Sequence, residues 1–129
     1  MSGMTSDCID FSLKFATPGG VPALVEATKR QMTACGVPDI RAEKLSLVIE
    51  EIFLDILENG YPVHRGYLAL SCSYEEGELS IRITDHAGPR NILHEDSPLF
   101  SLIQSAVDEA THLPADEGNV YEMKAWIEP

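Results

Sequence analysis

Three polar side chains, Glu51, Asp55 and Asn59, are spaced four residues apart within the segment 45–61. Residues four apart lie on one side of an α-helix, so this spacing places two carboxyl groups and an amide along a single stripe. A carboxylate is also a good ligand for a hard cation such as magnesium. The stripe therefore either lines a cleft that binds a charged ligand or is a solvated helix face, which is the commoner outcome of such spacing.

The segment that carries this stripe is typical of a helix packed on a hydrophobic core. Its apolar residues recur with helical period and share one face, at Leu45, Val48, Ile49, Ile52 and Ile56. Asp39 is positioned to cap the helix, and Gly60-Tyr61-Pro62 ends it. The polar stripe consequently follows the edge of the buried face.

A second group of candidate binding residues begins at Asp85. It follows an alternating strand pattern over residues 79–84 and is followed by the turn-rich stretch Ala87-Gly88-Pro89. Turns at strand ends commonly carry binding residues. The structural alternative is that Asp85 forms an Asx turn that ends a β-hairpin.

These two segments resemble motifs of the GHKL (histidine kinase-like) ATPase domains, most closely the bacterial anti-sigma regulatory factors and serine-protein kinases. The family's N box reads roughly E-A-x-x-N-x-x-x-H-G-Y, and this chain has Glu51, Asp55 and Asn59-Gly60-Tyr61 at the same spacing. Asp85 lies where the family has the aspartate of its D-x-G-x-P or D-x-G-x-G pattern.

The resemblance implies a site for ATP and magnesium. It implies Glu51 as the catalytic base that activates the attacking hydroxyl, Asp55 as the magnesium ligand in place of an asparagine, and Asp85 as the partner of the adenine amino group. Asn59 would line the nucleotide site. Ala87 replaces the glycine along which the base slides, and Gly88 follows it.

Other parts of the chain match the family's order of elements better than its nucleotide motifs. The glycines of the family's phosphate-binding lid would fall near Ser97 and Leu99, and neither is glycine. The C-terminal residues Gly118, Asn119 and Lys124 resemble the family's closing G-N-x-x-x-x-K strand. The resemblance thus implies a retained fold with degraded nucleotide-binding motifs.

The patterns predict a single α+β domain over residues 1–129. It is expected to be a two-layer α/β sandwich, with helices on one face of a mostly antiparallel sheet, which is the Bergerat-type ATP-binding fold of the resembling family. The predicted strands cover residues 9–15, 67–74, 79–84 and 120–127. The predicted helices cover residues 21–35 and the segment through 45–61, with a third from the Ser97 cap to about Thr111.

The composition limits the classes of partner. The net charge of -12 and the pI near 4.5 argue against binding to nucleic acid or to an anionic membrane. The histidines lack metal-ligand spacing, and Cys8, Cys35 and Cys72 contain no C-x-x-C pair, as is typical of thiols in a reducing compartment. Without an apolar span or signal sequence, a cytoplasmic protein is expected.

Three functions remain open from the sequence. The first is a bacterial anti-sigma factor of the serine/threonine kinase type, a transcription and signal-transduction regulator. In the family such proteins bind ATP and magnesium, sequester a sigma factor and phosphorylate an anti-sigma factor antagonist, as homodimers. The second is a non-catalytic protein-binding module that keeps the fold without nucleotide turnover. The third is an unrelated α+β domain whose acidic helix faces water.

Overall fold

The computed structural model of the chain describes residues 6–127. The strands within them are β1 Ser6–Ala16, β2 Gly66–Glu75, β3 Glu78–Asp85, β4 Glu109–Ala115 and β5 Gly118–Trp126. The α-helices are α1 Val21–Ala34, α2 Asp39–Asp55 and α3 Phe100–Ala106. The predicted domain spans 1–129, so residues 1–5 and 128–129 of that prediction lie outside the described part of the chain.

The strands form one antiparallel sheet in the order β1-β2-β3-β5-β4. Side chains alternate between the two faces, and the buried face of the central strands packs into the core with the helices. Leu68 and Leu70 of β2 and Ile81 and Ile83 of β3 are all at most 2% exposed. The prediction of an α+β fold, a two-layer sandwich on a largely antiparallel sheet, is therefore confirmed.

The predicted hairpin of β2 and β3 is present and is one residue longer at each end than the pattern indicated. Its turn residues Glu76 and Gly77 both have positive φ, at 53° and 82°. Two successive residues with positive φ match the right-handed twist of adjacent strands, as in the favoured two-residue hairpin loops. The turn therefore sets the register in which Leu70 faces Ile83.

Helix α2 buries the predicted apolar face and continues into one π-helical turn, Ile56–Gly60. It begins at Asp39 itself, so the N-cap position is taken by Pro38, which has no side-chain capping bond, and the prediction that Asp39 caps the helix was wrong. A negative charge in the first turn still interacts favourably with the helix dipole. Tyr61 then takes an extended conformation and leads toward β2.

The prediction of a third helix through about Thr111 was wrong after Ala106. Helix α3 ends at Ala106, Val107 is extended, and β4 pairs along its length with β5, with Ala110 opposite Met123. Pairing with a neighbouring strand outweighed the helical pattern, as tertiary contacts often do. Ser97 does not cap α3, since its Oγ accepts the Leu99 N–H at 3.2 Å in the turn just before the helix.

Across residues 6–127, no helix is long and apolar enough to cross a membrane.

Candidate functional site

The predicted site residues gather where β3 ends, β5 begins and α2 passes into its π-helical turn. Asp85 is the last residue of β3, and Ala87 and Gly88 follow it in the loop to α3. Asp55 ends α2, and Asn59 lies in the π-helical turn. π-helical turns occur frequently at functional sites, and this one brings the end of α2 against the loop after β3.

Two contacts show which of these residues meet. Asn59 Nδ2 donates to Asp55 Oδ1 at 2.9 Å. A Cβ placed on Gly60 would lie 3.0 Å from the Ala87 Cβ, so the Ala87 methyl group already fills the space beside the π-helical turn. Glu51 is exposed and lies one helical turn before Asp55.

The Asp85 carboxylate is buried, and its Oδ1 is hydrogen-bonded from within the chain. Its side chain is 1% exposed, and Oδ1 accepts hydrogen bonds from Asn119 Nδ2 at 2.9 Å and from the Ala87 N–H at 3.0 Å. The second of these bonds is an Asx turn, which is the structural alternative that the sequence left open. Asp85 therefore serves as an anchor for the loop that follows it.

Asn119, which is completely buried, joins three parts of the site. Its Nδ2 also donates to the Gly88 carbonyl at 3.0 Å, and its Oδ1 accepts the Arg90 N–H at 3.1 Å. Its Oδ1 lies 2.9 Å from His112 Nε2. Because Nδ2 faces two acceptors, Oδ1 must be the acceptor here, so we assign the His112 proton to Nε2.

Gly118 permits this approach of β5 to the end of β3. Its φ is 102°, and a Cβ at this position would lie 1.9 Å from the Asp85 carbonyl oxygen. No side chain fits at that distance, and the positive φ is itself costly for any other residue. The Gly118-Asn119 pair thus supplies both the close backbone approach and the polar side chain that holds the loop.

Asp55 forms an ion pair with Arg90, whose Nη2 lies 2.8 Å from Asp55 Oδ2. The side chains are 12% and 30% exposed, respectively. Asp55 Oδ2 is buried and lacks a hydrogen bond of acceptable angle, so the contact is a charge pair and the guanidinium N–H does not point at the oxygen. The cationic guanidinium therefore already balances the charge of the Asp55 carboxylate.

Two tyrosines fix the loop through its backbone. Tyr121 is buried and donates to the Arg90 carbonyl at 2.6 Å, and Tyr61 accepts the His86 N–H at 2.7 Å. Burial, reinforced by the negative charge of Asp85, raises the pKa of Tyr121 to about 12. Burial also raises the pKa of Tyr61. Both hydroxyls are thus protonated at neutral pH.

The segment around Ser97 and Leu99, where the resemblance leads us to expect a glycine-rich lid, is closed by its own hydrogen bond. Leu99 is buried in the core, 7% exposed, and its N–H is bound by Ser97 Oγ. A phosphate held by a lid needs backbone N–H groups that are uncommitted and accessible. This turn does not offer the Leu99 N–H for that purpose.

A cleft of about 420 Å³ borders the loop after β3. It is lined by residues 86–89 and by the hairpin turn at residues 114–118. Ala87 and Gly88 contribute to it, but of the described residues that line it none is Glu51, Asp55 or Asp85. The three carboxylates therefore do not meet in this cleft.

These observations bear on the predicted cofactors. Within residues 6–127, no group of three or more His, Cys, Asp or Glu side chains is arranged to hold a metal ion. With Asp55 paired to Arg90 and the Ala87 methyl against Gly60, the arrangement fits magnesium and a purine nucleotide poorly. The binding of ATP and magnesium stays a prediction.

Sequence reasoning missed the residues that hold the site together, namely Asn119, Arg90 and Tyr121. Asn119 stands out in the sequence only as part of the Gly118-Asn119 start of the closing strand, and no spacing links Arg90 to Asp55. Apart from His112, which precedes Asn119 by seven residues, their partners are 29 to 35 residues away in the chain, and spacing alone carries no information about contacts at that range.

A comparison with models of protein families finds no match, and no curated protein matches the chain significantly.

Proposed function

We propose that this chain is a non-catalytic protein-binding module that keeps the fold of the anti-sigma regulatory factors and recognises a protein partner without turning over ATP. One observation carries the proposal. Both carboxylates that the resemblance assigns to cofactors are engaged by the chain's own side chains, Asp55 by Arg90 and Asp85 by Asn119. A cation or an adenine would have to displace these contacts before it could bind.

The distribution of charge supports a protein partner with a basic surface. The chain carries a net charge of -12, and Glu51 and Glu58 are exposed near the end of α2. Complementary charge accelerates association and selects among partners. The same charge repels an uncomplexed triphosphate.

The resemblance supplies the class of partner. A sigma factor, or the antagonist of an anti-sigma factor, would be bound in the cytoplasm to regulate transcription. A homodimer is part of the same proposal, because the resembling family is dimeric.

The test is direct binding in the absence of nucleotide. Candidate sigma factors and antagonists from the same genome are titrated into the purified chain by calorimetry with EDTA present. We expect one of them to bind, with an affinity that falls as salt is raised. Binding without nucleotide should persist in Glu51→Gln and Asp85→Asn, since neither residue acts as a base or an adenine ligand in this proposal, and the lost charge of Glu51 should only weaken it.

The matched control is Glu26→Gln, which removes an exposed charge from α1 without touching the candidate site. Binding that appears only with ATP and magnesium, and disappears in folded Asp85→Asn, would contradict the proposal.

The second candidate is the ATP- and magnesium-dependent serine/threonine kinase. It is favoured by the contact of Asn59 with Asp55 and by the exposed position of Glu51 one turn before Asp55. In this candidate Glu51 would accept the proton of the attacking serine hydroxyl. Transfer of labelled phosphate from ATP to the antagonist, lost in Glu51→Gln, would select it over the binding module.

A further inference from the structure

The three cysteines, which are far apart in the sequence, lie at one end of the hydrophobic core as thiols. Cys8 in β1 is 5% exposed and Cys72 in β2 is 2% exposed. Cys35, directly after α1, is half-buried and packs against the same core. This end of the sheet is opposite to the Asp85 site, because Asp85 pairs with Leu68 at the start of β2. The inference that follows is therefore independent of the proposed function.

The sheet register brings Cys8 and Cys72 together. Asp7 pairs with Ser73 and Ile9 pairs with Cys72, so Cys8 belongs to a β-bulge in which two residues of β1 oppose Cys72. Cys8 and Cys72 are both buried. The Cα partner of Cys72 is Ile9, and opposed residues on antiparallel strands have Cα atoms about 4.5–5.5 Å apart. Cys8, the other residue of the bulge, adjoins this pair, and a disulfide requires a Cα separation of roughly 4.4–6.8 Å.

Cys35 packs against the same core as the pair, on the side of β2. A Cβ on the adjacent Gly36 would lie 3.5 Å from Cε2 of Tyr74, which is two residues from Cys72 on β2. Burial raises the pKa of the Cys72 thiol, and the charges of Cys8 and Cys35 add to that rise. Both thiols thus lie within electrostatic reach of Cys72, and the half-buried Cys35 is the more accessible.

We propose that Cys8 and Cys72 form a reversible cross-strand disulfide with a small-molecule disulfide as oxidant, and that Cys35 is the thiol through which oxidation enters. The Cys35 thiolate attacks the external disulfide and expels one thiol, giving a mixed disulfide. Cys8 or Cys72 then attacks Cys35 Sγ and expels the second thiol. The remaining member of the pair attacks in turn and returns Cys35 as a thiol.

The overall reaction is balanced. Cys8 and Cys72 together lose two electrons and two protons, and the external disulfide is reduced to two thiols. The product ties the edge strand β1 covalently to β2 across the bulge. Transient disulfides of this kind are the form in which cytoplasmic proteins use cysteine oxidation.

The experiment exposes the full chain to oxidised glutathione, traps the remaining thiols with N-ethylmaleimide and maps the peptides by mass spectrometry. We expect the intact protein to lose about 2 Da, as formation of one disulfide requires. The peptide of Cys8 should be linked to that of Cys72, with Cys35 alkylated. Dithiothreitol should restore the starting mass.

Three variants separate the roles of the thiols. Cys35→Ser should form the same disulfide at least about fivefold more slowly, because the buried thiols react poorly with an external disulfide. Cys8→Ser and Cys72→Ser should each lack the Cys8–Cys72 disulfide. If a variant fails to fold, the peptide mapping of the unmodified chain still tests whether Cys8 is linked to Cys72.

Two results would overturn the proposal. One is a stable product in which Cys35 is linked to Cys8, to Cys72 or to glutathione and the cross-strand disulfide is absent. The other is an unchanged rate in Cys35→Ser, which would remove its role as the entry thiol.

Discussion

Asp85 and Asp55 lie on either side of the loop after β3, and they are held in different ways. Asp85 is 1% exposed and is bound by a neutral amide and a backbone N–H, whereas the Asp55 side chain is 12% exposed and is paired with one guanidinium. Removing the hydrogen-bond donors of a buried carboxylate is costly, whereas an ion pair whose guanidinium is partly exposed costs less to break. The Asp85 region is thus a structural joint, and the Asp55 region is a weaker contact that any ligand would first have to break.

The largest effect on stability is expected from a substitution at Gly118, where the backbone of β5 approaches the end of β3. Gly118→Ala should destabilise the fold by about 4 kcal/mol or more, because its Cβ would lie 1.9 Å from the Asp85 carbonyl oxygen and its φ is positive. Gly88→Ala is the matched control, since a Cβ there has no atom within 4 Å. Urea unfolding measures both. Equal stability of the two variants would show that β5 does not approach the end of β3 this closely.

The next effect tests the side chain of the same joint. Asn119→Ala should cost about 3 kcal/mol, because it removes a hydrogen-bond donor to buried Asp85 and the acceptor of the Arg90 N–H. Asn91→Ala, an exposed asparagine in the same loop, serves as the control. A loss of stability in Asn119→Ala no greater than that in Asn91→Ala would show that the Asn119–Asp85 hydrogen bond does not stabilise the fold.

A smaller effect is expected on the Asp55 side of the comparison. Asp55→Asn should cost about 1 kcal/mol, since it ends a partly exposed charge pair with Arg90 and leaves Asn59 able to bond the new amide. Glu51→Gln, on an exposed position of the same helix, should change stability by less than about 0.5 kcal/mol. A cost for Asp55→Asn as large as that for Asn119→Ala would abolish the distinction between the two regions.

The smallest effect is a dependence on alkaline pH. The folded state holds the Tyr121 proton more tightly than the unfolded state, because its pKa rises from 10.0 to about 12. This contribution to the free energy of unfolding is complete below pH 10 and is lost as pH rises toward 12. The loss is about 1 kcal/mol by pH 11. Tyr121→Phe removes it, so the stability of the native chain should fall more steeply with pH than that of the variant. Urea unfolding at pH 9 and pH 11 measures this. An equal loss of unfolding free energy in the native chain and in Tyr121→Phe would show that the Tyr121 hydroxyl does not have a raised pKa.

Much of the fold was predictable because its signals are local. The alternation in β2 and β3, the Gly77 turn and the helical period of α2 each occupy fewer than twenty residues. Strand β4 was missed because it is an exposed edge strand with little alternation, and its structure comes from pairing with β5. Its Pro114 is tolerated at such an edge.

The candidate site was predictable only in its choice of residues. Helical spacing placed Asp55 beside Asn59, and the strand pattern placed Asp85 at a strand end. The partners that decide what these carboxylates can do, Arg90 and Asn119, are brought in by tertiary structure. Cys8 and Cys72 are likewise brought together by tertiary structure, at a β-bulge that the local sequence pattern does not predict.

The most direct test of the account is the melting temperature of the purified chain with and without about 5 mM ATP and magnesium, since a ligand of the native state raises it by mass action. We predict no shift, because Asp55 and Asp85 are already bound by Arg90 and Asn119. A rise that requires magnesium and is absent in folded Asp85→Asn would contradict the account and establish a working nucleotide site.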